Sequence, residues 1–284
     1  CQYEYPLPNA PYSKYLTFFD EQRDFVGDPL WTWIQAFMWG STGRELNIGA
    51  EGPGPVPEPE QVRLLAFAAL NRGVRGLLFF AHHTLHRMPE LAAEVAWTCR
   101  EIRVFNDVLA AGDATLNLKT SDPRVNAAAF RYGDVTVLSA AVFGEQYHRW
   151  VDTGSVVALS ITCPWNGQDL PRAFYVATPE LIACSVERTE TTGMISITVP
   201  RLDLSGFIVL TNNDAEIERV RKEIAQIPNN LGELMSVAAA TQTRKVSDVL
   251  WRLGIDNLYK GNETSVAAAR TTEQCAVVDR KSVV

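Results

Sequence analysis

The runs Leu30-Trp31-Thr32-Trp33-Ile34-Gln35-Ala36-Phe37-Met38-Trp39 and Gly76-Leu77-Leu78-Phe79-Phe80-Ala81 decide the fold class. Both are nearly all apolar rather than alternating, which is typical of parallel strands that are covered on both faces. Between them lie a loop over 40–59, rich in proline and glycine, and a helix predicted over 60–71 with Gly73 as its C-terminal cap. A strand, a helix and a second parallel strand form a right-handed βαβ unit, so we expect α/β architecture here.

Ligands of parallel sheets bind beyond the carboxyl ends of the strands, which gives this unit a predicted site. The side chains at that edge combine an amide, aromatic rings and imidazoles. These groups suit the hydroxyls and the C–H faces of a sugar, so the sequence indicates carbohydrate more clearly than it indicates a reaction. The predicted substrate-binding residues are Gln35, Phe37, Trp39, His82, His83 and, in the following loop, Arg44.

Three tryptophans lie in or beside the first predicted strand, at positions of the same parity. Residues of one parity share a face of a strand, so all three point the same way as Gln35. Two interpretations are open, namely stacking on sugar rings and packing between strands and helices. We favour packing for Trp31 and Trp33, and stacking for Trp39 at the exit of the strand.

Three of the four histidines of the chain are His82, His83 and His86. Two imidazoles at i and i+4 could ligate a metal on a helix, but the run lacks the glutamate of the zinc-protease helix motif. We favour polar lining of a site over surface histidines, and we predict no metal site. The sequence contains no phosphate-binding loop or GxGxxG motif, so no cofactor is predicted.

Composition limits the partners of the chain. The net charge is −7 and both signs are mixed along the sequence, which argues against a nucleic-acid partner. No apolar run approaches the length of roughly 20 residues that spans a bilayer, so no membrane span is predicted. No charged leader opens the sequence, and we expect any export signal to have been removed or never to have existed.

The five cysteines are scattered, with no CxxC pair, and their number and spacing fit neither a disulfide framework nor a zinc site. Cys99 falls on the apolar stripe of a predicted helix over 88–111, and Cys163 and Cys184 lie in runs typical of strands. We therefore predict that these three are buried free thiols.

The pattern changes near residue 113, where short β-branched or alternating runs begin. Turn signals separate them every 8 to 15 residues or so, which is typical of an antiparallel β-sandwich. After it, Asp214 is a candidate N-cap of a helix that Pro228 should end, and a second helical stretch follows from 230 to about 253. The predicted strands are Val125–Tyr132, Val135–Val142, Ser155–Thr162, Ala173–Val176, Leu181–Val186, Met194–Val199 and Phe207–Leu210.

Several segments together resemble the C-terminal part of a bacterial glycoside-hydrolase-like (β/α)8 barrel followed by its β-sandwich domain. They are Tyr5-Pro6, Pro29–Phe37, Pro57–Arg63, Arg72–Phe80 and, in the second half, Gly193–Pro200 with Gly206–Leu210. The resemblance implies α/β plus all-β architecture. It places a barrel part at 1–112 and a sandwich at 113–213, and the sequence pattern adds a helical segment at 214–256 and a polar tail at 257–284.

The sequence departs from this resemblance at the catalytic position. Glycosidases with this layout carry a nucleophilic glutamate at the end of the seventh strand, where this sequence has Gln35. A glutamine can bind a sugar hydroxyl but cannot replace one of the paired carboxylates of glycoside hydrolysis. Glu4 and Glu45 are the nearest substitutes, and they are the candidate catalytic residues.

Two functions therefore remain open. One is a glycoside-hydrolase-like protein that acts on or binds a polysaccharide. The other is a non-catalytic carbohydrate-binding or structural protein that has lost the catalytic glutamate. In both cases we expect an extracellular or cell-surface location. Because the predicted parallel strands are too few to close a barrel of eight, we also expect another polypeptide or a homo-oligomer to complete it.

Overall fold

The computed structural model describes residues 12–26, 29–36, 57–81, 85, 88–143 and 155–252. The first half of the chain alternates helices with two short strands. Its elements are α1 (Tyr12–Val26), β1 (Trp31–Gln35), α2 (Pro59–Asn71), β2 (Gly76–Phe80), α3 (Pro89–Val104) and α4 (Asn106–Ala111).

The βαβ unit is present as predicted. β1 and β2 pair in parallel, with Trp31 opposite Gly76 and Gln35 opposite Phe80. Within the described ranges these two strands pair only with each other, so a larger parallel barrel stays a prediction.

Local hydrogen bonds fix both ends of α2. The Gln61 side chain accepts a bond of 2.7 Å from the Glu58 backbone N–H before the first turn. At the other end Gly73 adopts a φ of 81°, and Gly73 and Val74 donate to the carbonyls of Leu70 and Ala69. This is the Schellman arrangement, which needs a left-handed residue, so the predicted glycine cap is confirmed.

The helix that was predicted over 88–111 is interrupted at Phe105, which separates α3 from α4. The Phe105 backbone has φ −113° and ψ 19°, and its N–H bonds to Ile102 three residues back. Its ring is buried against Phe207, with 5.2 Å between the ring centroids. We attribute the break to this long-range contact, which periodicity along the helix does not reveal.

Every strand that was predicted in the second half is present, and two short ones precede them. The strands are β3 (Asp113–Thr115), β4 (Lys119–Thr120), β5 (Val125–Tyr132), β6 (Val135–Val142), β7 (Val156–Pro164), β8 (Arg172–Ala177), β9 (Glu180–Arg188), β10 (Met194–Leu202) and β11 (Ser205–Thr211). All neighbouring pairs are antiparallel. They form one nine-stranded sheet in the order β3-β5-β6-β11-β8-β9-β10-β7-β4.

This sheet curls on itself instead of forming two separate layers. β9 makes the corner, because its residues 180–184 pair with β8 whereas 185–188 pair with β10. At the far side Leu118, beside β4, donates a 3.0 Å bond to the Ala127 carbonyl of β5. The inner faces of both halves share a hydrophobic cluster that includes Leu138 and Ile197. The antiparallel prediction is thus confirmed, within a single curled sheet.

A second cluster joins the helices to the outer face of this sheet. Every residue of β6 and β11 is buried, since their outer side chains pack on the helical layer. The cluster contains Leu65 of α2 and Val137 and Phe207 of the sheet. Side chains from both sides of the predicted boundary at 112/113 therefore share one core, and the division into domains stays a prediction.

The final described helix, α5 (Asp214–Arg252), runs through Pro228. The prediction that Pro228 ends the helix is wrong. Ile224, Ile227 and Leu231 lie on both sides of the proline and pack into one core, and this burial offsets the hydrogen bond that proline cannot make.

The residue that caps α5 is Asn213 rather than Asp214. The Asn213 Oδ1 accepts bonds of 3.0 and 3.3 Å from the backbone N–H groups of Ala215 and Glu216. Asp214 lies in the first turn instead, where a carboxylate suits the positive end of the helix dipole. None of the helices that the structure describes is long and apolar enough to cross a bilayer.

The cysteine prediction holds in part. Cys163 is buried, Cys184 is half-buried and both are free thiols, whereas Cys99 is exposed. Cys99 lies beside the buried stripe of α3, which passes through Val95, Thr98 and Glu101. Burial raises the pKa of Cys163 to about 12 and that of Cys184 to about 11, so neither is a reactive thiolate at neutral pH.

Candidate functional site

The predicted ligand edge lies where β1 and β2 end. Gln35 and Phe80 are opposite each other there, and the next residue, Ala36, donates a 3.0 Å bond to the Phe80 carbonyl. Gln35 is only 1% exposed, so its amide lies beneath the surface at this edge.

An aromatic face covers one side of the parallel pair. Thr32 and Ile34 are buried, and Ile34 shares a hydrophobic cluster with α2, so Trp31, Trp33 and Gln35 lie on the opposite face. The Trp33 and Phe80 rings meet edge to face there, with centroids 5.7 Å apart. The interpretation that Trp31 and Trp33 pack between strands and helices stays a prediction.

Trp31 is 49% exposed and its indole lies directly over Gly76. A Cβ added to Gly76 would lie 2.5 Å from the Trp31 Cδ2 atom. Glycine is needed here for the close approach of the ring rather than for an unusual backbone angle.

Replacing Gly76 with alanine should displace the Trp31 ring and lower the free energy of unfolding by about 1–3 kcal/mol. Urea denaturation, followed by tryptophan fluorescence, measures both effects. Gly232→Ala is the matched control, because nothing lies within 4 Å of its added Cβ and alanine favours the helix. Equal stability of the two variants would show that the contact between Trp31 and Gly76 is unimportant.

The structure does not test most of the predicted site. Glu4, Phe37, Trp39, Arg44, Glu45, His82 and His83 lie outside the described residues. At the described ends of β1 and β2, residues 35–36 and 80–81 contain no carboxylate.

A buried charged cluster, which sequence reasoning missed, joins α2, α3 and the antiparallel sheet. Arg63 of α2 donates bonds of 2.6 Å to Glu101 Oε2 and 3.0 Å to Ser205 Oγ. It also pairs with Glu94 at 3.5 Å, and its guanidinium lies 5.0 Å from the centre of the Phe67 ring. One arginine thus bonds two helices to the sheet.

Glu101 is the most completely bonded member of this cluster. Its other oxygen, Oε1, accepts bonds of 2.9 Å from Trp97 Nε1 and 2.8 Å from Thr178 Oγ1. The side chain is only 5% exposed. A carboxylate whose oxygens are all bonded to fixed protein groups is suited to holding elements together rather than to proton transfer.

Glu94 is the chemically more available carboxylate. It accepts a 3.0 Å bond from Thr98 and borders a cavity of about 360 Å³ together with Trp97 and Met235. Burial raises its pKa above the ordinary value of 4.5, although the Arg63 charge opposes the shift.

The raised pKa gives a prediction for Glu94→Gln. The folded chain holds the Glu94 proton more tightly than the unfolded chain, so ionisation destabilises the fold. As the pH rises above 4.5, the free energy of unfolding of the parent chain should therefore fall relative to that of Glu94→Gln. At lower pH the difference between the two proteins should stay constant. Urea midpoints from pH 4 to 8 measure this difference, with the exposed Glu187→Gln as control. A difference that does not change with pH would contradict the assignment.

Comparisons with known proteins give only loose likenesses. No family model and no curated protein matches the chain. A maltogenic α-amylase, AmyB, from Thermotoga neapolitana is 13% identical over 69% of this chain and 46% of its own, with a TM-score of 0.39. An α-amylase from Anoxybacillus is 11% identical over 71% of this chain and 46% of its own, with a TM-score of 0.38.

A third solved structure is CldA, described as a cyclomaltodextrin glucanotransferase with three domains. It is 14% identical over 72% of this chain and 41% of its own, with a TM-score of 0.40. The chain thus spans less than half the length of each of these three proteins.

Proposed function

We propose that this chain is part of a glycoside-hydrolase-like, carbohydrate-active protein whose ligand contacts the edge where β1 and β2 end. The observation that carries the proposal is the parallel pair itself, which ends at a buried amide beside aromatic rings. Ligands of such sheets bind at this edge.

The residues proposed to contact the sugar fit its chemistry. The Gln35 amide donates and accepts hydrogen bonds, as a hydroxyl group requires. Phe37 and Trp39 offer aromatic faces to the C–H side of a pyranose ring. Arg44, His82 and His83 would supply further hydrogen bonds around it.

A second function, carbohydrate binding without catalysis, is favoured by one observation. The end of β1 carries Gln35 and the end of β2 carries Phe80, so the described edge lacks the carboxylates that hydrolysis needs. In the catalytic alternative Glu4 and Glu45 would have to supply them.

Gel electrophoresis of the native chain through soluble polysaccharides tests the binding proposal. At least one of four polysaccharides in the gel, namely amylose, xylan, mannan or mixed-linkage glucan, should slow the migration of the chain. Trp39→Ala should weaken the retardation, whereas Phe25→Ala should leave it unchanged. Phe25 is an exposed aromatic at the far end of the unit, where the neighbouring Arg23 bonds the carbonyl of Arg72 after α2. Absence of retardation in every gel would overturn the proposal.

Release of reducing ends from the retarding polysaccharide separates the two functions. A catalytic chain should lose this activity in Glu4→Gln or Glu45→Gln while it still binds. A chain that binds without releasing reducing ends has the non-catalytic function.

The number of predicted parallel strands motivates a proposal about partners. A closed barrel of this type has eight strands, which is more than the sequence predicts. We propose that another polypeptide or a second copy completes a barrel here, and that the protein acts outside the cell or at its surface. Light scattering of the native material should give a mass above that of one chain.

A further inference from the structure

A cavity in the described part of the chain lies away from the proposed ligand edge. It is a cleft of about 860 Å³ between the α3–α4 junction, the β5–β6 hairpin and the first turns of α5. We call it the hairpin cleft, and its lining includes Arg103, Asp107, Tyr132, Asp134, Glu216 and Arg219.

The hairpin cleft lies toward the start of β2, whereas the ligand edge lies at its end. Arg75, just before β2, donates a 2.8 Å bond to the Leu109 carbonyl of α4, and α4 residues line the cleft. A ligand in the cleft would therefore be separate from one at the edge.

Tyr132 provides an aromatic surface at the cleft. It is 53% exposed although it ends a strand whose inner residues are buried. It pairs with Val135 across a two-residue turn, in which Gly133 has a φ of 60°. This tight hairpin holds the ring in place without covering it.

Fixed hydrogen-bonding groups line the same cleft. Arg219 donates to Glu216 at 2.6 and 2.9 Å, to Glu223 at 2.8 Å and to the Val104 carbonyl at 3.0 Å. Asp134 accepts a 2.9 Å bond from Asn213. The carboxylates are thus oriented in advance and still have lone pairs for a ligand, which lowers the entropy cost of binding.

The charges of the lining limit the class of ligand. The acidic residues Asp107, Asp134, Glu216 and Glu223 outnumber the basic residues Arg103 and Arg219, which disfavours an anion. The described part of the chain has no cluster of His, Cys, Asp and Glu that could hold a metal ion. An exposed ring beside fixed acceptors and donors suits a neutral molecule with many hydroxyl groups.

We propose that the hairpin cleft is a second carbohydrate-binding site, in which a pyranose ring stacks on Tyr132. Asp134 and Glu216 accept hydrogen bonds from its hydroxyl groups. The site requires no catalysis, and its ligand class follows from its own lining rather than from the ligand edge.

Fluorine NMR of the full chain labelled with 3-fluorotyrosine tests this proposal. The Tyr132 resonance is identified by its loss in Tyr132→Phe. Maltoheptaose and cellohexaose are then titrated separately, with choline as an organic cation. We expect one oligosaccharide to shift the Tyr132 resonance saturably, while the resonance of the buried Tyr175 stays in place.

Variants separate this site from the ligand edge. The shift should persist in Trp39→Ala. In that background, calorimetry should show that a further Tyr132→Ala lowers the affinity for the oligosaccharide about tenfold or more. A further Tyr132→Phe should change this affinity little. A Tyr132 shift, together with gel retardation that Trp39→Ala leaves unchanged, would support the cleft and refute the edge. The inference is overturned if neither oligosaccharide shifts Tyr132, if only choline does, or if Trp39→Ala abolishes the shift.

Discussion

Replacement of Arg63 with methionine is expected to lower the free energy of unfolding by about 3–5 kcal/mol. The change removes the cation that pairs with Glu101 at 2.6 Å and with Glu94 at 3.5 Å, and leaves both carboxylates where they are. Glu101 is 5% exposed, so its charge would be buried without its cationic partner. Chemical denaturation of the two proteins measures the loss.

Arg201→Met is the matched control, because Arg201 pairs with Asp203 at 2.9 Å on the exposed surface. Exposed pairs contribute at most about 1 kcal/mol. Adding Glu94→Gln and Glu101→Gln to Arg63→Met should restore part of the loss, since the unpaired charges are then absent. If Arg63→Met costs no more than Arg201→Met, the buried cluster does not hold the helices to the sheet.

Replacement of Phe207 with alanine should cost about 3–5 kcal/mol. The Phe207 ring is 1% exposed and contacts Phe67 of α2 and Phe105 between α3 and α4, at centroid distances of 4.8 and 5.2 Å. A cavity at this position would separate the helical layer from β11.

The cooperativity of unfolding in Phe207→Ala is as informative as the midpoint. A shared core predicts one transition that shifts as a whole, by circular dichroism and by fluorescence alike. Ile182→Ala is the control, because Ile182 is exposed on β9 and its loss should matter little. Two separate transitions, of which only one moves, would contradict a core that spans the helices and the sheet.

Those features of the fold that depend on neighbouring residues could be predicted from the sequence. The apolar runs predicted β1 and β2, and the glycine after Arg72 predicted the end of α2. Contacts between distant residues could not be predicted in this way. The break at Phe105 depends on Phe207, and α5 continues through Pro228 because core contacts on both sides hold it.

The same limit applies to the candidate sites. Gln35 was identified because a strand end is visible in the sequence. Arg63 was not, since its partners Glu101 and Ser205 are 38 and 142 residues away along the chain. A usable signal was the placement of Glu94 and Glu101 seven residues apart on one helix, which puts them on one face with the buried Thr98. The hairpin cleft likewise joins three distant segments around Tyr132.

Hydrogen–deuterium exchange of the intact chain, with and without a saturating polysaccharide that retards it in gels, tests the central claim most directly. The proposed ligand edge predicts slower exchange in peptides that cover 35–45 and 80–86, and loss of that protection in Trp39→Ala. Unchanged exchange in both segments, with a saturating ligand bound, would show that carbohydrate does not bind where β1 and β2 end.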